Sequence, residues 1–330
     1  MHIGIEIGGT KLQLVVAESR GNITQRFGQA VKRDADATAI LAWIEQTMSQ
    51  LATAPIAIGV GFGGPVDAEI GQIITSHQVS GWAGLNLANW LRERTGATRV
   101  YVENDANVAA LGEALRGAGQ GYQHVFYITL GSGVGGGMVV NGQLYRGVRP
   151  GEAEIGHVWV TPPTAHSPGQ TLEQAASGWA VDRQIRNLLP QLPTHSPLRH
   201  YAEAAGPGGE ARWLAPALAD NDPAAHQLLE QLGRVVALSL SHVVHLFHPQ
   251  VLVLGGGLSL VGEPLRQAVE KSLPRYIMAA FQPPPLVRLA QLGTDAVPVG
   301  ALAMLGRERQ EGRNKRQETR SERQEEGNKK

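Results

Sequence analysis

The chain has 330 residues, 42% of them hydrophobic, enough to build two domains with cores of their own. It has no cysteine, which excludes disulfides and thiolate metal sites. Its formal net charge is zero, and its 41 glycines are about 12% of the chain against an ordinary share near 7%, without collagen periodicity, so the excess belongs to particular turns.

The first element is a hairpin: Ile3 to Ile7 leads into Gly8-Gly9-Thr10-Lys11 and out through Leu12 to Val16. Glu6 and Lys11 interrupt this apolar stretch, which fits no secretory or transit signal. Ile40, Leu41, Ile44, Met48 and Leu51 fall at helical spacing and predict a helix over 35–51. A buried strand over 56–62 stops at Gly63-Gly64-Pro65. A second helix over 85–94 is followed by a short strand over 99–102, the segment Glu103-Asn104-Asp105-Ala106-Asn107, and a helix over 108–115.

At Val125 the pattern starts again. Val125 to Leu130 leads into a glycine turn, Gly131-Ser132-Gly133-Val134-Gly135-Gly136-Gly137, and out through Met138 to Val140. Later come helices over 179–189, 224–247 and 265–272, and a buried strand over 251–254 that ends in Gly255-Gly256-Gly257. Pro-rich stretches at 162–168, 190–197 and 283–285 read as loops, and 192–222 is broken by so many prolines and glycines that an irregular excursion is expected. Residues 307–330 hold nine basic and six acidic side chains, giving this tail +3 and the body −3, and they lack apolar residues. A disordered, solvated extension is expected, its glutamates diluting the charge too far for nucleic-acid binding. No apolar run approaches the roughly 20 residues of a membrane span, so a cytoplasmic protein without membrane partners is expected. The restart at Val125 predicts two related α/β domains, with ligands at the strand ends in the crevice between them.

Asp105 is the first candidate for chemistry. A carboxylate where a strand gives way to a helix can serve as a general base, or it can cap the helix. The glycine turns before and after it favour the base, because phosphoryl transfer relies on positioned phosphates and an oriented hydroxyl. The first turn is not a Walker A loop. The second satisfies G-x-G-x-x-G in form, but strand-like residues follow it rather than the helix of a Rossmann fingerprint.

Six segments in order, Glu6 to Lys11, Gly63 to Asp67, Glu103 to Asn107, Leu130 to Gly137, Gly151 to His157 and Leu254 to Gly257, resemble the motif series of the ROK family of sugar kinases and sugar-responsive repressors, over about residues 2–305. The resemblance implies two actin-like ATPase (ribonuclease H-like) domains of α/β class. These would be 1–118, completed by a C-terminal helix about 296–306, and 119–295, with ATP and a hexose in the cleft between them. It implies Asp105 as base; Gly64, Pro65, Asn104, Glu154, His157 and Glu173 at the sugar; and Gly8, Gly9, Thr10, Lys11, Gly131, Ser132, Gly133, Gly255, Gly256 and Gly257 at the nucleotide. A homodimer is the family habit.

Two departures from the family pattern stand out. Many members bind zinc with the histidine at position 157 and three cysteines in the following loop; the loop 158–172 has none, so no structural zinc is expected, and Pro162, Pro163 and Pro168 are expected to stiffen it instead. At position 6 the family more often carries aspartate; Glu6 is expected either to help position Mg2+ through water or to hold the turn. The expected activity is phosphorylation of a hexose, glucose first, at the 6-hydroxyl, with fructose, mannose or an N-acetylhexosamine as other acceptors. Two further readings are a non-catalytic sugar-binding protein and a repressor; for the latter, the first motif begins too early to leave room for a preceding DNA-binding domain.

Overall fold

The computed structural model describes residues 1–18, 22–32, 34–76, 78–148 and 151–306; the expected disorder of the charged tail concerns residues outside that set. The chain divides into two compact units, Met1–Val108 with the chain from Val297 onward, and Ala109–Ala296.

The first unit contains β1 (His2–Ile7), β2 (Lys11–Ala17), β3 (Ile23–Ala30), α1 (Ala37–Ser49), β4 (Ala57–Phe62), the small hairpin β5 (Val66–Asp67) and β6 (Gln72–Ile73), α2 (Leu87–Thr95) and β7 (Arg99–Asn104). The helix α3 (Asp105–Arg116) follows. The five long strands form one sheet in the order β3-β2-β1-β4-β7, with β1, β4 and β7 parallel and β2 and β3 antiparallel to their neighbours.

The period of two in β1 and β4 sends side chains to opposite faces. Ile3, Ile5, Ile7, Ile58, Val60 and Phe62 pack with α1 and α2 in one core. On the other face Gly4, Gly59 and Gly61 leave a floor without side chains, and the helix 296–306 lies against it. A Cβ on Gly59 would fall 2.1 Å from the Ala301 carbonyl oxygen, and one on Gly4 2.8 Å from that of Pro298. The glycines are thus explained by the closeness of a helix backbone.

The second unit contains β8 (His124–Leu130), β9 (Val134–Val140), β10 (Gln143–Leu144), β11 (Trp159–Thr161), β12 (Gln170–Thr171), α4 (Leu172–Ala176), α5 (Gly178–Leu188), α6 (Pro197–Ala205), α7 (Leu214–Ala219), α8 (Pro223–Phe247), β13 (Val251–Gly255), α9 (Glu263–Ser272) and β14 (Leu286–Leu289). Its sheet runs β10-β9-β8-β13-β14, with β8, β13 and β14 parallel. Strand order and direction repeat those of the first sheet. The internal restart of the sequence is therefore a repeated fold.

Several expectations need correction. The second glycine turn is confined to 131–133, because β9 already begins at Val134 and Gly135 to Gly137 lie within the strand. The helix after Asn104 begins at Asp105, not at 108, because the Asn104 side chain caps it. Strand β3 was not anticipated; it is mostly exposed and carries only Ile23 and Phe27 as large apolar residues.

The region 192–222 is not irregular: it forms α6, a short 3-10 turn at Glu210–Trp213 and α7. Pro197 sits in the first turn of α6, where it lacks no needed N–H, and Ser196 caps that helix. Asp222 caps α8 through the Ala224 and Ala225 N–H groups and also accepts from Ser196 Oγ and Leu198 N. Arg186 of α5 donates two hydrogen bonds, at 2.8 and 2.9 Å, to Glu210. Burial alone would raise the Glu210 carboxyl, but Arg186 and the Gly208 N–H hold it down to about 2.

Two outcomes follow for stability. Gly59→Val should push the helix 296–306 off the sheet and cost at least about 1–3 kcal/mol in urea unfolding, with Gly28→Ala, which makes no such close contact, near neutral. Because Glu210 is depressed in the folded state, its contribution is complete above its ordinary value of 4.5 and is lost as pH falls toward about 2. That contribution is at most about 3 kcal/mol, so urea midpoints should drop between pH 5 and 2, and less steeply in Glu210→Gln.

Candidate active site

Parallel pairing in register brings the ends of β1, β4 and β7 to one edge of the first sheet: Ile7 is opposite Phe62, and Phe62 opposite Asn104. The residues that follow are Gly8, Gly63 and Asp105. Gly63 N donates to Ile7 O at 2.8 Å. A Cβ on Gly63 would lie 3.4 Å from Asp105 Oδ2 and 3.5 Å from Gly8 Cα. The candidate base and the first glycine turn thus both lie within van der Waals reach of Gly63.

The corner that aims Asp105 is tightly bonded. Asn104 Oδ1 accepts from Ala106 N at 2.9 Å and Asn107 N at 3.2 Å, so Asn104 supplies the cap at the start of α3. Asn104 Nδ2 donates to Gly64 O at 3.2 Å, which ties the Gly64-Pro65 loop to the same corner. The buried Glu103 accepts from Asn104 N at 2.8 Å and from Asn107 Nδ2 at 3.1 Å. Glu103 and Asn107 belong to the motif segment 103–107 but carry no role of their own in the sequence reading, although their spacing of four across a strand-to-helix corner is the available signal.

In the first turn, Gly8 N donates to Lys11 O at 3.0 Å, and Val31 N to Thr10 O at 2.9 Å. Lys11 Nζ lies 2.9 Å from Glu6 Oε2, which also accepts from Gln13 Nε2 at 2.9 Å. Glu6 on β1 is thereby tied to two residues of β2 across the hairpin. The side chain of Gln78, which carries no motif signal, lies directly over Gly9, where a Cβ would fall 1.3 Å from its Oε1.

The second unit repeats the device at the ends of β8 and β13, where Gly255 is opposite Thr129. Gly131 N donates to Gly133 O at 2.9 Å and closes the turn. Gly256, at φ +80°, would place a Cβ 2.5 Å from the Leu130 carbonyl carbon, so the Gly255-Gly256-Gly257 turn lies against the end of β8. Glu173 Oε2 accepts from Val134 N at 2.9 Å and lies against Gly133, where a Cβ would come within 2.5 Å of it. Glu173 is thus a tie for the turn. The 3-10 turn Ile155–His157 packs on the same Val134 through Gly156, and it carries Glu154 and His157, both exposed.

The structure thus places the candidate residues in two sets. Glu6, Gly8, Gly9, Thr10, Lys11, Gly64, Pro65, Asn104 and Asp105 belong to the first unit, and Gly131, Ser132, Gly133, Glu154, His157, Glu173, Gly255, Gly256 and Gly257 to the second. The loop 158–172 is ordered as the hairpin β11–β12, closed at its tip by Thr164 N donating to Ser167 O at 2.8 Å.

A five-stranded mixed sheet that occurs twice, each with a glycine turn between its first two strands and candidate polar residues at the ends of its parallel strands, defines an actin-like ATPase fold of the kinase type. Residues 2–308 match the ROK family, and the chain belongs to that family. It is 30% identical to the glucokinase of Thermotoga maritima over 308 residues, covering 92% of this chain and 96% of that enzyme. It is 32% identical to the glucokinase of Streptomyces coelicolor over 314 residues, covering 93% and 97%. Among solved structures, the ROK family glucokinase of Streptomyces griseus in complex with glucose and AMPPNP is similar with a TM-score of 0.78 and 32% identity, covering 92% of this chain and 98% of that one.

The Glu103 corner is testable. Glu103→Ala removes the acceptor for Asn104 N and Asn107 Nδ2 in a buried place, and should cost about 1–3 kcal/mol in thermal or urea unfolding, with Glu103→Gln intermediate.

Proposed function

We propose that this chain is an ATP-dependent hexose kinase that phosphorylates glucose at the 6-hydroxyl. The observation that carries the reading is Asp105: a carboxylate at the joint end of three parallel strands, beside a glycine turn, on a corner whose polar groups are bonded so as to aim it. The likeness to glucokinases over more than nine-tenths of the chain supports the acceptor. Fructose, mannose and N-acetylhexosamines differ from glucose by one ring form, one hydroxyl or one acetamide, and are the acceptors to compare.

In this reading each unit offers ligand groups at the ends of its own parallel strands. Gly64, Pro65 and Asn104 of the first unit and Glu154, His157 and Glu173 of the second are the candidate sugar contacts, Glu173 with the oxygen it does not give to Val134 N. Carboxylates suit sugars because each accepts from two neighbouring hydroxyls, and Asn104 keeps one Nδ2 hydrogen beyond the one given to Gly64. Asp105 takes the proton of the 6-hydroxyl as its oxygen attacks the γ-phosphorus; the bond from that phosphorus to the β,γ-bridging oxygen breaks, and ADP leaves with the electron pair. Backbone N–H groups of the 8–11 and 131–133 turns, with Lys11, balance the charge on the transferring phosphoryl group, while the 255–257 turn meets the adenosine.

Kinases of this type use Mg2+ with the nucleotide. Such an ion needs one or two carboxylates besides phosphates and water, and Glu6 and Asp105 are donors of that class in the first unit, although Glu6 already gives one oxygen to Lys11 and Gln13. When bound, the ion would shield the phosphate charge. The protein would work in the cytoplasm as a homodimer; among the described residues no helix is long and apolar enough to cross a membrane.

Asp105→Asn should reduce kcat for glucose by about 10²–10⁴-fold in a coupled ADP-release assay, with glucose binding by calorimetry retained. Full activity in that variant would remove Asp105 from the chemistry. The same assay across the four sugars identifies the acceptor through kcat/KM.

A further inference from the structure

The start of α5 touches the second glycine turn directly. Gly178 N donates to Gly131 O at 2.7 Å, and a Cβ on Gly178 would fall 2.9 Å from that oxygen. On the neighbouring side, Gly256 lies against Leu130, the residue before Gly131. Backbone from two other elements thus closes on the single step Leu130–Gly131. Next to Gly178 stands Trp179, an indole that is 54% exposed, while the following residues Ala180 and Val181 are fully buried. Gly257, the residue after Gly256, has open space where its Cβ would be.

A tryptophan is the most costly apolar side chain to leave half in water, and a single exposed one needs no ligand to explain it. This one, however, directly follows the glycine that touches the second turn, whose residues Gly131 to Gly133 are only partly buried. Consecutive Cα atoms are about 3.8 Å apart, so the indole begins within one residue of the glycine that touches Gly131. A nucleotide whose phosphates lie on 131–133 extends its flat base away from the turn by more than a residue's length. An indole face offers such a base a stacking partner, indifferent to which purine it is.

We propose that Trp179 is the stacking platform for the nucleobase of the phosphoryl donor, and so the residue that distinguishes a nucleoside triphosphate from a donor with phosphates alone. This rests on the reading of Gly131–Gly133 as a phosphate turn. Since every base has a π face, the platform favours ATP and GTP alike over inorganic tripolyphosphate.

The test compares wild type, Trp179→Ala, Trp179→Phe and Gly133→Ala in the full chain. It measures KM for ATP, KM for glucose, and inhibition against ATP by ADP and by inorganic tripolyphosphate. Folding is checked by circular dichroism and melting. Trp179→Ala should raise KM for ATP and Ki for ADP about tenfold, leave Ki for tripolyphosphate and KM for glucose unchanged, and be largely rescued by Trp179→Phe. Gly133→Ala, whose Cβ would come within 2.5 Å of Glu173 Oε2, should weaken ATP, ADP and tripolyphosphate together.

The stacking role is overturned if Trp179→Ala moves tripolyphosphate as much as ADP, which would make the indole a support for the turn. It is overturned equally if glucose KM moves instead, or if nothing moves while Gly133→Ala weakens all three phosphates. If a folded Gly133→Ala changes none of them, the phosphate-turn reading itself fails. Should Trp179→Ala not fold, Trp179→Phe and Trp179→Leu decide the matter: equal ADP and tripolyphosphate affinity changes in both would refute stacking, and a loss of ADP affinity in the leucine variant alone would support it.

Discussion

Everything at the candidate site depends on three parallel strands ending together. Because β1, β4 and β7 pair in register, Ile7, Phe62 and Asn104 finish side by side, and the three residues after them, Gly8, Gly63 and Asp105, must share one small volume. Two of the three are glycines. A Cβ on Gly63 would stand in van der Waals contact with both the Asp105 carboxylate and the Gly8 Cα, which measures how closely the three ends approach. The sheet supplies that geometry.

The same constraint works on the back of the first sheet. Gly4 and Gly59 are opposite one another in the parallel register of β1 and β4, and a helix that ends the described chain, 296–306, lies on the floor they make. Residues from the far end of the sequence thereby hold the strands whose ends form the site. The second unit answers with a polar tie: Glu173 binds the N–H of Val134 and lies against Gly133, while Gly178 binds the carbonyl of Gly131. The glycine turn is held from both sides although its own residues have almost no side chains.

Much of this was legible in the sequence. The two hairpins, the buried strand over 57–62, the long helix 223–247 and the strand before Gly255 all carry strong apolar periodicity, the strands running into glycines, and each lies where the pattern placed it to within a residue or two. What failed did so for identifiable reasons. Strand β3 lies at the sheet edge with few buried residues, so its alternation was too faint. Helices α6 and α7 are short and interrupted by proline and glycine; they are held by the Arg186–Glu210 pair and by Asp222, contacts between residues 24 to 26 apart that no local window contains. The reach of the second turn was overestimated because Gly135 to Gly137 look like turn residues but lie within a strand.

The sequence by itself determined the family, the repeated order of elements and the identity of Asp105 as the carboxylate at a strand's end, because motif spacing and apolar period are local properties of a chain. Only the tertiary structure decided how that carboxylate is held. Asn104 rather than Asp105 supplies the side-chain cap made with Ala106 and Asn107, and Glu173 is committed to the backbone of a turn 39 residues before it. It also brought Gly178, the residue before Trp179, onto the carbonyl of Gly131, a proximity that no spacing rule contains. Hydrogen bonds between distant segments form only once the sheet has fixed both partners in space, so their pairing is a property of the fold and not of any stretch of sequence.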